Sequence, residues 1–286
     1  MNQSEIAGRT ILITGCSSGI GYCVAHGLKR RGYPVIASAR KPDDVERLAS
    51  EGLDCLRIDL DDPGSIDQAV KNLEDRTGRR IYGLFNNAGF GQPGAVEDLR
   101  RDVLRAQFET NVFGTLELTN RLLPWMRAAG EGRIIQNSSL LGFVSLAYRG
   151  AYNASKYALE GLYDTLRLEL AGTGIHAILI EPGPITSRFR SNALAAYRRN
   201  IDTETSVHRE IYRATEARLK RQGAAVPFTL PPEAVLDKVI KALEARAPRP
   251  RYYVTFPSYL FAALKRCLST RALDRVLLGV SRRERK

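Results

Sequence analysis

Along the first two-thirds of the chain, apolar residues fall into short continuous runs. Between the runs lie longer stretches in which apolar positions recur every three or four residues. Runs rich in Ile, Leu and Val at 10–14, 34–39, 54–58, 81–85, 133–137 and 176–180 predict buried strands. Helical spacing predicts helices over 20–31, 42–50, 63–77 and 151–171, and a long helical region from about 96 to 129. Pro63 suits a first helical turn and Gly78 a helix stop. Strands alternating with helices imply parallel βαβ units, so the predicted fold is α/β with a doubly wound parallel sheet. After Pro184 the rhythm changes. Residues 188–222 are charged and helical in pattern, 231–245 is a helix, 251–255 a last strand, and 257–280 one or two amphipathic helices. No internal repeat or low-complexity linker interrupts the chain, which predicts a single domain over 1–286.

Composition narrows the function classes. With 44% apolar residues in 286, a packed core is the expectation and disorder is excluded. No uninterrupted apolar run approaches the roughly eighteen residues of a spanning helix. The N-terminal stretch also lacks an apolar signal segment, so a cytoplasmic protein is expected. Four cysteines without a CxxC pair predict reduced thiols and no metal site. The net charge of +12 is uneven. Residues 1–187 carry 21 basic and 22 acidic residues, a balance of −1, and residues 188–286 carry 22 and 9, a balance of +13. Nucleic acid is not expected, because no recognition motif accompanies the charge. In the last segment Tyr259, Leu260, Leu264, Leu268, Leu273, Leu277 and Val280 alternate with Lys265, Arg266, Arg271 and Arg275. Either this is a solvated basic face over a packed stripe, or it contacts an anionic membrane surface peripherally.

The chemistry sits at strand ends. The first strand runs into Thr14-Gly15-Cys16-Ser17-Ser18-Gly19-Ile20-Gly21 and then a helix, a setting in which backbone amides and a helix N-terminus take a pyrophosphate. After the second strand stand Arg40 and Lys41, with no carboxylate before Asp43. Two cations there suit a ribose 2′-phosphate, which predicts NADP(H) over NAD(H). Tyr152 and Lys156 are the one tyrosine–lysine pair in the chain at i and i+4, on one face of the helix after the fifth strand. An adjacent ammonium favours the phenolate and should lower the tyrosine pKa, enabling proton exchange with an alcohol or carbonyl.

At these residues the chain resembles the short-chain dehydrogenase/reductase family, in its retinol/hydroxysteroid dehydrogenase-like branch, over residues 8–187. Residues 14–21 match TGxxxGxG, and Asn86-Asn87-Ala88-Gly89 matches the NNAG stretch that braces the sheet beside the cofactor. The resemblance implies a Rossmann-type sheet of about seven strands and a catalytic set of Tyr152, Lys156, Ser139 and Asn111. Tyr152 would donate the proton, and Lys156 would lower its pKa and bind the ribose. Ser139, thirteen residues before Tyr152, would orient the substrate oxygen, with Ser138 its rival. The Asn111 backbone carbonyl would hold a relay water. Asp59 matches the adenine-binding aspartate. Pro182, Gly183, Ile185 and Ser187 match the nicotinamide stretch, with Ser187 where the family has threonine and Thr186 one residue earlier. The resemblance further implies a helical lid over 188–222, a C-terminal helical extension over 257–286, and a homodimer or homotetramer through the helices at 96–129 and 151–171. Apolar residues of the lid, with Phe143, Val144 and Leu146, point to a small hydrophobic carbonyl or alcohol substrate. The alternatives are a 3-oxoacyl thioester reductase and a non-catalytic NADP(H)-binding sensor.

Overall fold

A computed structural model describes residues 3–221, 223 and 226–284, so residue 222 of the lid and residues 285–286 of the extension lie outside it. Seven strands form one parallel sheet. They are β1 (Ile11–Ile13), β2 (Val35–Ala39), β3 (Asp54–Arg57), β4 (Gly83–Asn86), β5 (Gly132–Asn137), β6 (Ile175–Glu181) and β7 (Arg251–Tyr253). Their order is β3-β2-β1-β4-β5-β6-β7, so the winding reverses between β1 and β4. In such sheets the crevice at the reversal, outside the carboxyl ends of the strands, is where ligands bind.

Alternation along the strands builds two apolar layers. Ile11 and Ile13 join α2 (Gly19–Arg30) and α10 (Glu233–Glu244) on one face. Leu12 joins α4 (Pro63–Thr77), α6 (Gly114–Ala129) and α7 (Gly150–Glu169) on the other. The remaining helices are α1 (Gln3–Ala7), α3 (Pro42–Ser50), α5 (Arg101–Phe108), α8 (Phe189–Asn200), α9 (Arg209–Lys220), α11 (Phe256–Cys267) and α12 (Thr270–Arg283). No described helix is long and apolar enough to cross a membrane.

Two departures from the predicted elements bear on the site. The helical region expected over 96–129 is broken into a 3-10 turn at Val96–Asp98, α5, a π turn at Glu109–Phe113, and α6. The π turn carries Asn111, whose side chain is held inward by hydrogen bonds to Phe90 and Ser155. Helix α1 lies outside the predicted elements, because its one buried apolar residue, Ile6, gives no periodic signal. The amphipathic stretch at 257–280 resolves into two helices, with Ser269 capping α12 through the Ala272 amide at 3.4 Å.

Candidate active site

The turn after β1 is shaped by close approach. At Gly21 an added Cβ would lie 2.3 Å from the Gly15 carbonyl oxygen and 2.5 Å from Asn87 Nδ2. Gly15, at φ +71°, would place one 2.7 Å from the Ala88 Cα. Thr14 Oγ1 accepts from the Asn87 and Ala88 amides, both at 3.0 Å, tying the turn to the loop after β4. Helix α2 begins at Gly19 behind Ser18, with no side-chain cap and no acidic residue in its first turn. Its first amides therefore remain as donors in a positive field, a fit for a phosphate. Ile20 packs against the core behind them. Arg47 of α3 donates to the Ser17 carbonyl at 2.8 Å, a contact that sequence reading missed because the two residues are thirty apart.

A chain of amides continues across the crevice. Asn87 Nδ2 donates to the Thr14 and Gly15 carbonyls, Asn137 Nδ2 donates to Asn87 Oδ1 at 2.9 Å, and Lys156 Nζ donates to the Asn137 carbonyl at 2.7 Å. Asn137, at the end of β5, is the second residue that the sequence did not single out. Tyr152 stands one turn before Lys156, whose ammonium lies 5.7 Å from its ring centroid. Burial pushes the Tyr152 phenol up to about 12, opposed by a hydrogen bond to Ser139 and the charge of Arg149. Burial brings the Lys156 ammonium down to about 8, opposed by Glu160. The expected lowering of the tyrosine is thus reversed in this state, since desolvation of the hydroxyl outweighs the neighbouring charges.

Ser138 and Ser139 separate cleanly. Ser138 is buried and donates to Glu160, away from Tyr152. Ser139 sits at the head of a short turn, faces Tyr152, and accepts from the Leu141 amide at 3.1 Å. Asn111 donates to the Phe90 carbonyl and to Ser155 Oγ at 3.1 Å, and Ser155 donates to the Tyr152 carbonyl. Gly89 leaves room for it, since a Cβ there would lie 3.0 Å from Asn111 Oδ1.

The other predicted residues divide. Asn86 turns to the opposite face of the sheet, donating to Thr119 Oγ1 at 2.8 Å and the Tyr163 hydroxyl at 2.7 Å, so its side chain braces the core. Asp59 accepts from the Asp61 amide, while Asp62 caps α4. Arg40 and Lys41 are exposed at the end of β2, beside Arg57, which donates to the Arg40 carbonyl. Pro182 accepts from the Leu140 amide, Gly183 abuts Thr255 and Ile185 bridges to Leu230. Ser187 faces the phosphate turn, its Cβ 2.8 Å from the place a Cβ would take on Gly19.

The segments expected to form a lid and a C-terminal extension meet the site unequally. Tyr197, Ile201 and Tyr212, expected over the substrate, pack instead among themselves and against Ala95 and Leu99. Phe189 does face the site, 5.2 Å from the Tyr152 ring and against Gly91. Helices α11 and α12 turn Phe261, Leu264, Leu273, Leu277 and Val280 onto Leu140, Leu141, Phe143, Val144, Leu146 and Tyr152. Most of the stripe in the extension is therefore packed, with Lys265, Arg266, Arg271 and Arg275 outside it.

A family model described as short chain dehydrogenase matches residues 9–198. An uncharacterized oxidoreductase, YbbO of Escherichia coli, is 45% identical over 96% of each chain. An NADPH-dependent 3-dehydrocapnine reductase of Ornithobacterium rhinotracheale is 32% identical over 94% of this chain and 95% of its own. The crystal structure of a short-chain dehydrogenase from Streptomyces avermitilis superposes with a TM-score of 0.74 at 28% identity, covering 96% of this chain and 98% of that one.

Proposed function

The chain belongs to the short chain dehydrogenase family, and on that premise we propose that this oxidoreductase uses NADP(H) to interconvert a carbonyl and an alcohol on a small hydrophobic substrate. The observation that carries the reading is the continuous path from the glycine turn through Asn87 and Asn137 to Lys156, with Tyr152 and Ser139 at its end. The cradle at Gly15, Gly19 and Gly21 and the open N-terminus of α2 fit a pyrophosphate, and Arg40, Lys41 and Arg57 fit a 2′-phosphate.

When bound, NADPH supplies the hydride. Tyr152, protonated at neutral pH, delivers its hydroxyl proton to the carbonyl oxygen as negative charge develops there. Ser139 holds that oxygen by a hydrogen bond, and Lys156 stabilises the phenolate left behind. Asn111 fixes the first turn of α7, and so the Tyr152 backbone, through Ser155. Phe189, Phe143, Val144 and Leu146 exclude water and favour an apolar substrate. The domain acts as one unit, with 188–222 as lid and 257–286 as a wall of the site. A panel of aliphatic, aromatic and polycyclic aldehydes and ketones incubated with NADPH tests this reading; failure of every member to oxidise the cofactor overturns it.

Leu104, Phe113 and Leu168 are exposed on α5, the π turn and α7, the surfaces through which pairing is expected. Sedimentation velocity should report a dimer or tetramer, and a monomer at micromolar concentration would remove the assignment.

A further inference from the structure

Beneath Lys156, on the side away from Tyr152, lies a buried charge cluster that the proposed chemistry does not use. Glu160 follows Lys156 by four residues, on the same face of α7. Arg251, the first residue of β7, hydrogen-bonds Glu160, Glu181 at 2.5 Å and Asp164 at 2.5 Å. Glu160 also accepts from Ser138, the neighbour of Ser139. Glu181 ends β6 immediately before Pro182 and is completely buried, and its Oε2 meets no donor. The same Arg251 nitrogen, Nη1, contacts Oε2 of Glu160 and Oε1 of Glu181, which brings the two carboxyl groups face to face. Arg251 therefore ties the end of β6, just before the Pro182–Gly183 stretch, to the middle of α7, which carries Lys156, and Glu160 extends the link to Ser138 beside Ser139.

Glu160 and Glu181, the two most buried acids, share one guanidinium nitrogen of Arg251, while the partly exposed Asp164 also pairs with Arg167 at 3.1 Å. With Lys156 and Arg167 counted the cluster is formally neutral, yet two carboxyl groups meet at one nitrogen and Glu181 Oε2 has no donor. Facing carboxylates in a desolvated site repel, and they relieve the repulsion by keeping one proton between them. Around the Glu181–Glu160 pair stand Lys156, Asp164 and Arg167 of α7, Ser138 just after β5, and Arg251 and Tyr253 of β7. Arg266 of α11 acts on Tyr253 from outside.

We propose that Glu181 is a positioning residue for the reaction: it shares one proton with Glu160 under the Arg251 clamp, and loss of that proton in alkaline solution supplies the negative charge that keeps Lys156 protonated. The inference rests on the role given to Lys156 above. Burial, then the charge of Glu160, pushes Glu181 up to about 8, the same range to which burial brings Lys156. As pH rises through this range, the two groups compete to release a proton, and ionised Glu181 delays the loss from Lys156.

Glu181→Gln keeps the shape and charge of the protonated carboxyl and cannot ionise. Near neutrality its kcat should stay within about twofold of wild type, while the alkaline limb of its rate profile moves down by about half a unit. At about pH 9 it should then run roughly threefold slower than wild type. A uniform loss at every pH with an unmoved limb would mean a merely structural role and overturn the proposal. Infrared difference spectra of wild type should also show a protonated carboxyl that is lost between about pH 7 and about pH 9 and is missing from Glu181→Gln. Absence of that band from wild type overturns the shared proton. The infrared arm needs no turnover, so it decides the carboxyl pair whether or not Tyr152 proves to be the acid.

Discussion

Replacing Tyr152 with Phe is expected to lower kcat for carbonyl reduction by about 10²–10⁴-fold, the usual worth of a positioned proton donor. The affinity for NADPH should change by no more than about threefold, since one hydroxyl away from the phosphate turn is lost. The ring contacts survive the change, because Phe189 meets the Tyr152 ring in an edge-type contact and Lys156 donates to Asn137, not to the phenol. The sign of the pH dependence follows from the same site. A phenol at about 12 stays protonated throughout the working range, whereas Lys156 at about 8 does not. Wild-type reduction should therefore fall on the alkaline side as the ammonium, not the tyrosine, loses its proton. Turnover retained in Tyr152→Phe would remove the tyrosine from the chemistry.

The double change Arg40→Ala and Lys41→Ala is expected to weaken NADPH by roughly ten- to a hundred-fold, the loss of one or more charge-assisted hydrogen bonds. NADH, which has a hydroxyl where NADPH has a dianionic phosphate, should be affected by no more than about twofold. Both side chains are exposed at the end of β2, so the change removes charge without opening a cavity. Competition binding of the two reduced cofactors reads the difference directly. Equal weakening of both would place the cations in general phosphate attraction and not in selection. Arg57, which reaches the Arg40 carbonyl from the end of β3, stays in place and limits the size of the loss.

What the sequence could reveal was local. The strands announced themselves because a parallel sheet buried on both faces leaves continuous apolar runs, and Tyr152 and Lys156 because four residues on a helix make one face. The choice between Ser138 and Ser139 was open by chemistry and rested on spacing, until the structure turned Ser138 toward Glu160. Arg47, Asn137 and Arg251 gave no signal, because their meaning lies in contacts that cross thirty, nineteen and about ninety positions. The apolar residues of the lid were legible as buried but not as to where. Tyr197, Ile201 and Tyr212 cover Ala95 and Leu99, and the basic C-terminal segment presses Leu264 and Leu277 against residues 140–146 and Tyr152. Amphipathic spacing shows that a face is covered and is silent on what covers it.

The most direct test of the account follows the hydride itself. NADPH deuterated at nicotinamide C4, incubated with a hydrophobic aldehyde or ketone, should yield an alcohol carrying deuterium at the former carbonyl carbon, faster than NADH does and not detectably with Tyr152→Phe. No deuterium in the alcohol from any carbonyl, or faster transfer from NADH, would contradict it.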